Sequence, residues 1–145
     1  MSAFLMQKLI AALTVASGTA YTLTASYADV DFGTTDPVIT IPTTNDYLII
    51  ASLQSTCVGA TYGAAEEVRA ILRRTNNTPA DLGTERVQPI PTMTTLSVGG
   101  PAITLFHRYS ATAGDTISMR ARLSATPSAG SVTISNALIF AVRDT

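Results

Sequence analysis

The chain has 145 residues, 46% of them hydrophobic and only 13% charged, with a net charge of −1. That length suits one domain with a real core, and so small a charged share points to a surface that is partly covered. Lys8 is the only lysine and there is no basic run, which argues against nucleic acid as the main partner.

Residues 1–20 come first. Lys8 is followed by an apolar run over 9–16 and then Ser17-Gly18-Thr19-Ala20, a pattern close to a signal peptide. Its charged leader is weak, because Phe4, Leu5 and Met6 precede Lys8, so a cleaved signal is not expected. The run is too short to cross a bilayer as a helix. It is read as an N-terminal arm, extended or short helical, that docks on a neighbour through Phe4, Leu5, Leu9, Ile10 and Leu13. The competing reading is a strand or helix packed on its own domain.

From 21 onward, turn signals recur at 36–37, 42–46, 76–79, 99–101, 113–115 and 127–130. Strand-like runs lie between them at 21–27, 38–41, 46–58, 67–75, 84–90, 103–112, 116–125 and 131–143. Residues 63–72 could pass for helix, but Val68, Ala70 and Leu72 alternate with Arg69 and Arg73, and Asn76-Asn77 follows as a turn. About eight short strands at this spacing indicate an all-β sandwich or barrel over 21–145. The 23 threonines and 12 serines fit strands and turns.

The strands sort into two classes. In 116–125, Ile117, Met119, Ala121 and Leu123 alternate with Thr116, Ser118, Arg120 and Arg122, so one face is dry and the other wet. The 67–75 run also carries arginines on one face. Both read as an outer sheet. Runs 46–58, 103–112 and 131–143 are apolar on both faces. Tyr47, Ile49, Ala51 and Leu53 oppose Leu48 and Ile50, while Ala137, Ile139 and Ala141 oppose Leu138, Phe140 and Val142. Such strands need a cover for their second face, and another copy of the chain supplies one. Ile139→Asp is accordingly expected to break the core or the assembly, and Arg120→Ser to do little.

Chemistry finds few footholds. Cys57 is the only cysteine, so an internal disulfide is excluded, and it sits among apolar strand residues. His107 is the only histidine, which excludes a multi-histidine metal site or a cupin-like centre. Asp29, Asp31 and Asp36 lack calcium-loop spacing and read as a solvated loop. Ser110, His107 and Asp115 do not make a triad, because Ser110 alternates away from His107 and no nucleophile elbow surrounds it. Gly99-Gly100-Pro101 reads as a turn without phosphate-loop context. Asn76-Asn77-Thr78 matches a glycosylation sequon that a non-secreted chain would not use. No cofactor, no membrane and no enzymatic activity are expected.

The order of motifs resembles the TNF/C1q-like jelly-roll family. Asp46-Tyr47-Leu48-Ile49-Ile50-Ala51 resembles the family's strand that opens from a turn into an aromatic and aliphatic run. The stretch from Val68 through Arg73 to Asn77 resembles its strand ending in an Asn turn. Ala113-Gly114-Asp115-Thr116-Ile117-Ser118-Met119 is similar to its step into the penultimate strand, and 137–142 to its closing strand. The resemblance implies an inner sheet of the first, third, sixth and last strands lining a threefold axis, and hence a homotrimer. Tyr47, Ile49, His107, Tyr109, Ile139 and Phe140 are its expected contact residues, with His107 either paired with a neighbouring polar group, the favoured reading, or meeting its copies near the axis. The short chain with its own arm looks most like the trimers carried on tailed-bacteriophage particles. That implies a capsid decoration or cement protein, made in the host cytoplasm and bound to the major capsid protein lattice of the virion. The alternative is a receptor- or sugar-binding tip of a head or tail fibre. The loops at 59–65, 78–83 and 91–101 hold no aromatic but Tyr62, which weakens it.

Overall fold

The structure, a computed structural model, describes residues 10–58, 66–90, 98–125 and 130–144. Period-two alternation of apolar residues produces nine strands, and no helix among the described residues. They are β1 (Ile10–Thr22), β2 (Ala28–Asp29), β3 (Ile39–Thr40), β4 (Asn45–Val58), β5 (Glu67–Arg74), β6 (Ala80–Pro89), β7 (Val98–Ala111), β8 (Thr116–Leu123) and β9 (Ser131–Arg143). One antiparallel sheet runs β1-β9-β4-β7 and the other β2-β8-β5-β6, with β3 also pairing β8. The expected jelly-roll sandwich is present, and both classes of strand fall in the sheets that alternation assigned.

The core lies between the sheets. Tyr47, Ile49, Ala51 and Leu53 of β4, with Ile134, Ile139 and Ala141 of β9, face Val68, Ala70 and Leu72 of β5 and Ile117, Met119 and Leu123 of β8. All are buried, and each large aliphatic contributes about 1.5–3 kcal/mol by leaving water. Tyr47 is wholly enclosed, so its hydroxyl needs a partner. It donates to the Thr43 carbonyl at 2.9 Å and lies 2.8 Å from Thr43 Oγ1.

Three expectations are corrected. The segment read as an arm over 1–20 is, from Ile10, the edge strand β1, which pairs with β9 and continues the sheet. Its inward residues Ala12, Thr14 and Ala16 are too small to advertise a buried face. Phe4, Leu5 and Leu9 lie outside the described residues. The run at 21–27 is not a strand, because β1 ends at Thr22 and the chain then crosses between sheets, with the Leu23 amide donating to Val132 O and the Leu123 amide to Thr24 O. Gly99-Gly100-Pro101 is the start of β7 and not a turn. There the pairing with β4 shifts register, Ser55 Oγ donates to Pro101 O at 2.7 Å and Gln54 Nε2 donates to Gly100 O at 2.9 Å. A Cβ on Gly100 would sit 2.5 Å from Ser55 Oγ, so the glycine permits a close backbone approach.

Candidate functional site

The outward face of the β1-β9-β4-β7 sheet carries rows of side chains set by strand register. Leu13 pairs with Phe140, Phe140 with Ile50, and Ile50 with Phe106, so one apolar row crosses all four strands. Toward the chain's C-terminus the next row is Ile10, Val142, Leu48 and Arg108. On the other side it is Val15, Leu138, Ser52 and Thr104, followed by Ser17, Asn136, Gln54 and Ala102. Strands about 4.8 Å apart and rows about 6.7 Å apart make the apolar part a patch of about 300 Å². That is as large as the largest patch of a typical monomer. Leu13, Val15 and Phe106 are 54%, 66% and 59% exposed.

The rim is polar. The Arg86 guanidinium lies 5.0 Å from the Phe106 ring centroid at the β7 edge. At the C-terminal end, Arg108 lies 3.5 Å from Asp144, and Ser110 donates to Asp46. Two open hollows of about 250 and 330 Å³ share Asp46 and Ser110 there. An apolar centre inside a polar rim is the anatomy of a protein–protein contact.

The opposite outer face is sealed by charge pairs within the chain. Arg69 reaches Glu67 at 2.7 Å and Glu85 at 3.3 Å, Arg73 reaches Asp81 at 3.2 Å, and Arg122 lies 3.6 Å from Glu85. Arg120 and Arg122 both stand over the Tyr27 ring, at 5.5 and 4.8 Å. Arg120 also donates to Tyr27 O at 3.0 Å and lies 3.7 Å from both Asp29 and Asp81. It is therefore a tie across this face and not the idle surface charge that alternation implied.

Of the six expected contact residues, Phe140 alone stands on the outward face. Tyr47, Ile49 and Ile139 point into the core with no exposure, so their side chains cannot reach a second copy. His107 and Tyr109 alternate inward as well, half-buried where β7 approaches β6. A Cβ on Gly83, which has φ 77°, would lie 2.8 Å from His107 Nδ1, so the ring is packed on that backbone and directed away from the outward face. Ile10 and Leu13, expected in the arm, instead join the outward rows. The face also holds Val15, Leu48, Ile50, Phe106, Leu138 and Val142, which are not among the six expected contact residues. Polar members of the same alternating sets mark that side as outward: Ser52 and Gln54 in β4, Thr104 and Arg108 in β7, and Asn136 in β9.

Tyr109 and Asp115 are structural. The Tyr109 hydroxyl donates to Asp115 Oδ2 at 2.7 Å and accepts from Arg74 at 3.0 Å. Asp115 also accepts from the Thr112 amide and from Asn77 Nδ2, each at 3.0 Å. Burial pushes the Asp115 carboxyl up, but the Thr112 amide, Tyr109, Asn77 and Arg74 outweigh it and hold the carboxyl below its ordinary value. Burial, then the Asp115 carboxylate, raises the Tyr109 phenol. Together they fasten the 112–115 and 75–78 turns. Asn76 serves there too, donating to Gly114 O at 2.6 Å and accepting from the Thr116 amide at 2.8 Å, so the amide nitrogen of the sequon is occupied. Asp31 and Asp36 accept from the Gly33 and Phe32 amides, while Asp29 faces Ser118 and Arg120. Among the described residues no three His, Cys, Asp or Glu gather as a metal site.

No family model matches the chain, and no curated protein is similar to it in sequence. Among solved structures it is similar to Eiger TNF from S. frugiperda, with a TM-score of 0.51 and 14% identity over 93% of this chain and 87% of that one. The fold is a TNF-like jelly roll.

Proposed function

We propose that this chain is a non-enzymatic homotrimeric structural protein, a cement protein that decorates a virion and bridges the capsomers of its major capsid protein lattice. The observation that carries the assembly is the unpartnered apolar face with its polar rim. Two copies meeting through this apolar patch would cover only about 300 Å² each, less than half of the roughly 800 Å² per partner of a standard interface. A closed ring of three gives every copy two contacts instead of one. The sparse charge of the chain, 13% of residues, fits a surface that is largely covered. The capsid role rests on the resemblance to phage-borne trimers of this fold. Residues 1–9, with Phe4, Leu5 and Leu9, are the proposed contact to the lattice, and three such segments on one trimer multiply weak single contacts.

The fibre-tip reading draws less support. The hollows around Asp46 and Ser110 are polar, but Tyr109 beside them is half-buried and its hydroxyl is engaged, so it offers no platform for a sugar. The function is tested by sedimenting the protein with intact particles and counting copies. About three per capsomer junction supports cementing, and a handful per particle supports a fibre tip. Removing residues 2–9 is expected to leave a folded trimer that no longer binds particles. Undiminished decoration by that variant would remove the lattice contact from these residues.

A further inference from the structure

β1 has an unusual hold on the body. Of its thirteen residues only Ala16 is fully buried, yet it supplies Ile10, Leu13 and Val15 to the outward face. Its pairing with β9 shifts register between Ser17 and Tyr21. At that break a second segment takes over. The Thr19 amide donates to Phe32 O at 3.2 Å, Thr34 Oγ1 donates to Ser17 O at 2.8 Å, and Thr14 Oγ1 donates to Val38 O at 2.6 Å. Gly18 lies under this grip. A Cβ there would stand 2.5 Å from Phe32 O, 3.0 Å from Phe32 Cβ, and closer still to Thr34 Oγ1. No real side chain fits without displacing the segment.

The gripping segment is itself firmly rooted. The Val30 amide donates to Met119 O of β8 at 2.9 Å, and Val30 and Phe32 are buried in the core. Its tip is shaped by Asp31, which accepts from the Gly33 amide at 2.6 Å, and by Asp36, which accepts from the Phe32 amide at 2.8 Å. Gly33 has φ 71°, a left-handed conformation that glycine adopts without strain. The segment thus ties the edge strand of one sheet to the central strand of the other.

We propose that residues 30–38 form a clasp that holds β1 on the sheet and thereby gates assembly. With the clasp seated, β1 completes the apolar face. With it released, β1 leaves and the face loses Ile10, Leu13 and Val15. This rests on the reading of the face as a copy-to-copy contact. The occupant is a second copy of this chain.

The test is amide exchange together with mass by light scattering on the full chain, comparing wild type with Gly18→Val and Thr34→Val. Gly18→Val crowds the clasp, and Thr34→Val removes one of its hydrogen bonds without crowding. Both are expected to speed exchange at 12–17 by at least about tenfold while β4 and β8 keep their protection. Both are also expected to shift the oligomer toward smaller species, Thr34→Val less so. If β1 stays protected in both variants, the clasp is refuted. If β1 loses protection while the oligomer is unchanged, gating is refuted. If Gly18→Val also deprotects β4 and β8, the fold itself has failed and Thr34→Val decides. A wild type that is monomeric at every concentration overturns the reading of the face and with it the gating, while exchange in the variants still reports whether the clasp holds β1.

Discussion

Phe140 and Ile139 are neighbours in β9 with opposite fates, and they separate assembly from folding. Phe140 lies in the middle apolar row between Leu13 and Ile50 and is partly covered in one chain. Full burial of a phenylalanine contributes up to about 3 kcal/mol, and with roughly a third of the ring at most still exposed, up to about 1 kcal/mol per copy remains to be gained from a partner. Over three copies, Phe140→Ser forfeits up to about 3 kcal/mol, which shifts trimer dissociation by up to about 10²-fold. The monomer keeps its core, because the serine faces outward. Ile139→Ala opens the core instead and costs about 2–5 kcal/mol of folding stability. Light scattering over a dilution series, read beside urea unfolding, distinguishes them. The expected result is a folded, dissociating Phe140→Ser and a destabilised Ile139→Ala. A Phe140→Ser trimer as tight as wild type would refute the placement of the contact on this face.

Further outcomes follow from single sites. The Asp115 carboxyl is depressed in the folded chain, so its contribution is fully present above the unfolded carboxylate value near 4 and is lost as pH falls through the lower folded value. Asp115→Asn should therefore cost more near pH 6 than near pH 3 in urea melts; an equal cost at both pH values would contradict this. Gly100→Val should lower stability by about 1–3 kcal/mol, because its side chain meets Ser55 Oγ and the β4 backbone; an unchanged urea midpoint would count against the close approach. Arg120→Ser should cost about 1 kcal/mol, since it loses the Tyr27 stack and two distant carboxylates at a partly exposed site. A neutral result would return Arg120 to an ordinary surface charge.

Alternation told the two sheets apart because the arginines of β5 and β8 mark a wet face. It could not say which face of β4, β7 or β9 was inward, because both carry large apolar residues. Tyr47, Ile49 and Ile139 read as contact residues from the sequence on that account. The polar members Ser52, Gln54, Thr104 and Asn136 held the answer, since a residue that cannot be buried unpaired fixes the side on which its i±2 neighbours lie. β1 was illegible for a different reason. Alanine and threonine at 12, 14 and 16 suit a shallow edge position but show no hydrophobic period. The Asp115 network joins turns some 38 residues apart and leaves no pattern in the chain.

The mass of the wild-type particle in solution tests the copy-to-copy face most directly. Light scattering on the full chain at micromolar concentration should give three times the 15.2 kDa chain mass, with the Phe140→Ser chain approaching a single copy on dilution. A stable 15.2 kDa wild-type monomer with the outward face left bare would contradict it.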